Sequence, residues 1–435
     1  MRYVNLDRVR GLKALRRSSS MSAPASPEWQ RPLVNDYMEP HTRAAAVRNE
    51  PDRLGQILGA TAKTNQYGEY LSLHCWCGEP ARYTPNIDAL RLLMPGAPEA
   101  VADPERWLFL DTETTGLAGG SGTYAFLVGI AWWEGGGLEI EQFFMREYSE
   151  KRSLLFALRE RIAERPVLVT FNGKSFDWPL LETRYRMSRK ISVPTPGAHL
   201  DFLHPARNLW RLRLGSVRLS ELERYVLGWD RGADVLSGLI PQIYFDYVRG
   251  GPPERLVPVF HHNQMDLRGL AALSSRILSL LGDAENVGQD GFELFGVSRI
   301  CERRGNKTRA RKLYEKSIAF VLPTETDREA RRSLARLAKR QGDFTLACEL
   351  WKGAVGNSRH GYNAYEQLAI YYEHNARNPE QARQVVRRAI DELRRANQIG
   401  DIASSAYREI KAKFDHRMAR LERKAGQTQL EAFDA

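Results

Sequence analysis

Two carboxylates close an apolar run in Leu108-Phe109-Leu110-Asp111-Thr112-Glu113-Thr114-Thr115-Gly116-Leu117. Residues i and i+2 of a strand share a face, so Asp111 and Glu113 converge on one point. Held that close they repel, and one of them resists ionisation unless a cation lies between them. A hard divalent ion with oxygen ligands resolves the conflict. Metal-assisted phosphodiester cleavage is the first chemistry the pair implies. A third acid, Asp177, ends Phe171-Asn172-Gly173-Lys174-Ser175-Phe176-Asp177 after an apolar strand at 167–171. It falls in the first turn of a helix, where the dipole favours an anion, so a plain helix-start acid fits it too. A fourth, Asp266, closes His261-His262-Asn263-Gln264-Met265-Asp266 at the start of another helix. Histidine four or five residues before aspartate lies near its face, which suits a base beside a metal ligand.

Elements must bring these residues together. Strands near Trp107, Phe126 and Leu138 precede a helix at 153–164, a further strand and helix, then a strand at Leu200 and more helix. That order predicts an α/β fold, a sheet flanked by helices, with the carboxylates at or near its central strand. Gly250-Gly251-Pro252-Pro253 marks the loop before the helix of Asp266. Upstream, Tyr67-Gly68-Glu69-Tyr70 within 65–83 predicts a small hairpin, and a proline-rich connector spans 95–104. The expected boundaries are a disordered basic leader at 1–45, an N-terminal extension and linker at 46–104, the sheet domain at 105–284, helical repeats at 290–420 and a flexible tail at 421–435.

Taken in order, Asp-x-Glu, Asn-x-x-x-Phe-Asp and His-x-x-x-x-Asp resemble the signature of the DEDD (DnaQ-like) 3′–5′ exonuclease superfamily over about 107–281. The 111–123 stretch Asp-Thr-Glu-Thr-Thr-Gly-Leu-Ala-Gly-Gly-Ser-Gly-Thr followed by Phe126-Leu127-Val128-Gly129, Arg207-Asn208-Leu209-Trp210, the 219–227 stretch and His262-Asn263 resemble its bacterial YprB-like branch. The resemblance implies a ribonuclease H-like domain with a mixed central sheet, hydrolysing DNA or RNA with two Mg²⁺ or Mn²⁺ ions. Asp111 would bridge both ions, Glu113 and Asp266 would complete the nucleophile-activating site, and Asp177 would hold the second ion. A neutral histidine would take a proton from the attacking water. Thr114, Gly116, Leu117 and Asn172 would approach the terminal nucleotide. The chain departs from a clean match in carrying two histidines. His261 has the five-residue spacing of the proofreading enzymes and is favoured as base. His262 has the four-residue spacing of the YprB-like proteins, and whichever is not the base is left to cap the helix or meet backbone. Asp201 either supports the site or belongs to an ordinary turn.

Composition is consistent with this reading. A chain of 435 residues has room for two or three domains. A formal charge of +11 suits a polyanionic partner. Cys75, Cys77, Cys301 and Cys348 are too scattered for a disulfide framework. Cys75-Trp76-Cys77 reads as strand packing rather than a metal clip. Free thiols predict a reducing, cytoplasmic location. No stretch predicts a membrane span, and the first residues lack the apolar core of a secretory signal. Arg2, Arg8, Arg10, Lys13, Arg16 and Arg17 precede a linker-like 18–32, and Met21 is an alternative start.

From about 291 the chain turns helical. Gly305-Asn306-Lys307-Thr308-Arg309-Ala310, Gly342-Asp343-Phe344-Thr345-Leu346-Ala347 and Asn378-Pro379-Glu380-Gln381-Ala382 align, and the alanines recur at 35–37 residues. That resembles tetratricopeptide repeats, with a plain helical bundle as the alternative. Such a domain implies a protein partner, or arginines that position nucleic acid. Gln429-Leu430-Glu431-Ala432-Phe433 resembles peptides that dock bacterial sliding clamps, against the simpler reading of a frayed end. The function implied is a 3′–5′ exonuclease; a catalytically weak nucleic-acid-binding scaffold and a structure-specific endonuclease on the same fold are the alternatives.

Overall fold

Both faces of the strand bearing Asp111 are buried, which is why its sequence is apolar at every position before the acid. A computed structural model describes residues 53–80, 82–116, 122–287, 290–355 and 361–433, without the side chains of 287 and 425–433. The leader at 1–45 and Leu117 lie outside the described residues. The strands are β1 (Thr61–Asn65), β2 (Gly68–Cys77), β3 (Trp107–Thr114), β4 (Ala125–Glu134), β5 (Gly137–Phe144), β6 (Val167–Thr170) and β7 (Ala198–Asp201). They form one seven-stranded sheet in the order β1-β2-β5-β4-β3-β6-β7. β3 runs antiparallel to β4 and parallel to β6. The expected hairpin forms β1 and β2, closed where Asn65 Oδ1 accepts the Tyr67 amide at 2.9 Å. It pairs onto β5 and so makes the sheet's edge.

The helices are α1 (Arg53–Leu58), α2 (Ile87–Leu93), α3 (Lys151–Glu164), α4 (Asp177–Ser188), α5 (Leu203–Leu214), α6 (Leu219–Leu222), α7 (Ile240–Val248) and α8 (Val257–Val287), then α9 (Gly291–Arg303), α10 (Lys307–Ser317), α11 (Thr324–Arg340), α12 (Phe344–Ala354), α13 (Gly361–Ile370), α14 (Pro379–Gln398) and α15 (Ser404–Phe433). Alternation along β3 sends Leu108 and Leu110 into one apolar layer with Leu158, Tyr185, Tyr244 and Phe260. Trp107 and Phe109 enter the opposite layer.

That opposite layer does not stop at the sheet domain. Trp107, Phe109, Trp210 and Leu270 share one continuous cluster with Phe295, Tyr314 and Leu334 of α9, α10 and α11. A β-carbon on Gly296 would lie 2.6 Å from the Asn208 carbonyl oxygen, so α9 and α5 touch at backbone distance. Buried Glu293 fixes the joint, accepting from Trp210 Nε1 at 3.0 Å and Arg276 Nη2 at 2.8 Å. The composition change near 290 is thus no break in the core.

Beyond it, helices pack in succession. Asn306, Asp343 and Asn378 cap α10, α12 and α14, each accepting a first-turn amide. Ala310, Ala347 and Ala382 are fully buried, where a small side chain lets paired helices approach. The tail expected to be flexible from 421 instead continues the α15 backbone helix to Phe433. Leu421, Glu422, Arg423, Lys424 and Ala425 are good helix formers, and no proline interrupts them. The side chains of Gln429 to Phe433 lie outside the described residues. Among the described residues no helix is long and apolar enough to cross a membrane.

Candidate active site

Three elements meet at the end of β3. Asp111 and Glu113 come from β3, Asp177 is the first residue of α4, and Asp266 lies in α8. Burial drives the Asp111 carboxyl well above the usual range, and the charges of Asp266 and Asp177 push it further. Glu113 is raised well above its ordinary value by burial, then by Asp111, Asp266 and Asp177. Asp177 is pushed up to about 6 by burial, against the hydrogen bond it accepts from Thr112 Oγ1. Like charges gathered out of water are the electrostatic mark of a cation site.

Asp111 is held from α8. Asn263 Nδ2 donates to Asp111 Oδ2 at 2.8 Å, and Asn263 Oδ1 accepts from Gln142 Nε2 of β5, also at 2.8 Å. The amide reaches Asp111 only because β4 has no side chain there. A β-carbon on Gly129, the cross-strand partner of Asp111, would lie 2.0 Å from Asn263 Oδ1. The sequence motifs contain Gly129 and Asn263 but assign neither a duty; a glycine within an apolar strand was the available signal.

His262, not His261, stands at the carboxylates. Its Nε2 lies 3.5 Å from Asp266 Oδ2 and 3.9 Å from Glu113 Oε1. His261 is exposed and makes none of these contacts. The reason is helical pitch: four residues bring a side chain to within about 40° of its starting direction, whereas five carry it about 140° away. Asp234 accepts from His262 Nδ1 at 2.8 Å, which leaves Nε2 facing the acids. Burial pushes the Asp234 carboxyl up, but the bonds from His262 and Arg231 prevail and hold it below its ordinary value.

Arg231 supplies a resident countercharge. Its guanidinium binds both oxygens of buried Glu223, meets Asp234 at 3.1 Å and reaches Asp266 Oδ1. Glu223 is pressed so closely on α8 that a β-carbon on Gly269 would sit 1.7 Å from its Oε1. Arg231, Asp234 and Glu223 escaped sequence reasoning because Arg231 and Asp234 come from an irregular stretch without periodicity.

Asp201 is an anchor for the loop before Asp177. It accepts the amides of Asn172 and Leu203 at 3.0 Å and of Lys174 at 2.9 Å. Asn172 is in the left-handed region, with φ at 70°. Gly173 packs where a β-carbon would fall 2.5 Å from Thr170 Cβ. Thr114 is buried, and its hydroxyl donates to the Gly116 carbonyl at 2.9 Å, closing the turn after β3.

The donor set fits a divalent cation. Ligand atoms of Glu113, His262 and Asp266 lie within 4.8 Å of one another. Arg231 occupies only one Asp266 oxygen and leaves the other toward His262. Hard carboxylate oxygens suit an alkaline-earth or first-row divalent ion, and His262 Nε2 stands beside them.

Residues 108–278 match the RNase H superfamily. The match starts on β3, ends on α8 and encloses every residue of the site. YprB of Bacillus subtilis (strain 168) is 30% identical over 319 residues, covering 73% of this chain and 74% of that protein. The chain belongs to the YprB family. The YprB likeness is longer than the RNase H segment, so it takes in residues outside that domain. A family B DNA polymerase from the hyperthermophilic archaeon Pyrobaculum calidifontis aligns at a TM-score of 0.31 and 16% identity, over 46% of this chain and 29% of the polymerase.

Proposed function

We propose that this protein is a metal-dependent nuclease, acting on DNA or RNA as a 3′–5′ exonuclease with two Mg²⁺ or Mn²⁺ ions. The observation that carries the reading is the convergence of Asp111, Glu113, Asp177 and Asp266, with the first three carboxyls displaced upward, inside a domain of the RNase H superfamily. Asp111 and Asp177 would hold one ion, and Asp111, Glu113 and Asp266 the other. Bound there, the ions would lower the pKa of water and neutralise charge on the phosphate. The chain's own residues do the rest. Asn263 holds Asp111 in one rotamer, and Asp201 fixes the loop that delivers Asp177. Asp234 orients His262, whose Nε2 takes the proton of the attacking water. Thr114, Gly116, Leu117 and Asn172 would receive the terminal nucleotide. The helices from α9 onward are read as repeats of tetratricopeptide type that meet a protein partner, and the Gln429–Phe433 segment as a contact for a sliding clamp. The free cysteines support a cytoplasmic location.

The test is cleavage of end-labelled single- and double-stranded DNA and RNA in Mg²⁺ or Mn²⁺, beside Asp111→Ala. A ladder shortening by single nucleotides from the 3′ end, absent in the variant, is expected. Discrete internal cuts would replace the exonuclease reading with an endonuclease. Silence on every substrate would favour the binding-scaffold reading.

A further inference from the structure

A groove of about 1320 Å³ runs between α11, α12, α13 and α15, away from the carboxylates and built from other elements. Eight lysines and arginines line it against five acids, so its field favours a polyanion over a basic partner. One wall is regular. Arg328, Arg332, Arg336 and Arg340 line it at intervals of four residues on α11. At about 1.5 Å of rise per residue, their Cα atoms step about 6 Å apart along the helix. That step is on the order of the spacing between phosphates in an extended single strand. Every rung is arginine, whose planar fork takes a phosphate through two parallel N–H bonds.

Half of the wall is left unpaired by the fold, since Arg328 already meets Glu325 at 2.8 Å. Arg332 and Arg340 are exposed, and among the described residues no carboxylate pairs with either. Arg336 meets Glu302 at 2.6 Å while remaining half exposed. Across the groove, Lys413 and Arg417 of α15 are ion-paired, with Glu409 and with Glu366 and Glu373, and Tyr362 of α13 offers a partly exposed ring on which a base can stack.

We propose that this groove is a second nucleic-acid-binding surface, a track that takes the phosphate backbone of a single strand along the α11 arginines. It rests on the nuclease reading for the identity of the polyanion. The arginine forks and the aromatic ring, on which a base but no carboxylate can stack, favour a strand of nucleotides over an acidic peptide.

The experiment measures binding of fluorescein-labelled oligothymidylate and oligouridylate, long enough to span the groove, to the full chain in EDTA across a salt series. R332E/R340E and the milder R332Q/R340Q are compared with wild type, and cleavage of a labelled trinucleotide is followed separately in Mg²⁺ or Mn²⁺. The charge reversal should weaken binding on the order of tenfold and the neutral pair by less. The slope of log K on log salt should fall by about 0.7 for each phosphate that the variant no longer neutralises. Trinucleotide cleavage should be unchanged. Oligonucleotide binding that neither variant alters overturns the track, and leaves the nuclease reading to the Asp111→Ala result. Track-dependent binding without cleavage by wild type upholds the track while the nuclease reading fails. Binding of polyglutamate, but of neither oligonucleotide, through the same arginines overturns the proposal in favour of an acidic protein partner.

Discussion

At the scale of single residues, the two histidines separate cleanly. His262→Ala should lower cleavage by about 10²- to 10⁴-fold, the range for losing a general base. His261→Ala should leave it within about twofold, as for a solvent-facing side chain remote from the reacting atoms. Equal, mild losses from both would remove histidine from the chemistry. Protonation gives a second residue-level expectation. Asp177 lies at about 6 against an ordinary 3.8. A carboxyl raised in the folded chain keeps its proton longer there than in the unfolded one. Its contribution to metal-free stability is therefore full below pH 3.8 and declines as the pH climbs through about 6. Asp111 and Glu113 are raised too, so melting curves in EDTA should decline in both proteins but more steeply in the wild type than in Asp177→Asn, and added Mn²⁺ should restore the wild-type Tm at pH 7. A wild-type curve no steeper than that of Asp177→Asn would refute the assigned burial.

At the scale of elements, the site depends on what β4 leaves out. Gly129→Ala places a methyl group 2.0 Å from Asn263 Oδ1 and must drive that amide off Asp111. A loss of about 1–3 kcal/mol is expected from overpacking, read as a lower denaturant midpoint, together with weaker cleavage. A neutral outcome would mean the amide has another seat. The sequence showed Asp111 and Glu113 through strand alternation, and showed Asp177 and Asp266 as acids opening helices, because those signals are local and periodic. The five-residue spacing of the resembling enzymes favours His261, whereas the turn angle of α8 presents His262 to the acids. Arg231, Asp234 and Glu223 were invisible for a different reason. Their pairing is decided by how the 228–239 stretch returns to α8, and nothing local in those residues encodes that return. Gln142 was hidden likewise, since its partner Asn263 lies on an element far along the chain.

At the scale of the molecule, the apolar layer shared by the sheet and α9 to α11 makes the two halves one structural unit. A fragment ending at residue 287 should expose Leu209 and Trp210, bind a hydrophobic dye and unfold without a sharp transition. Calorimetry showing a single cooperative melt for that fragment would contradict the shared core. The same layer sets an order of events on the ribosome. Trp107, Phe109 and Trp133 leave the exit tunnel early, yet α8, which packs against β3 and β4, is synthesised much later. For that interval the nascent sheet presents a bare aromatic face, the kind of surface that chaperones shield. Interruption of translation within α8 would release a polypeptide carrying Asp111, Glu113 and Asp177 but lacking the cover its sheet requires.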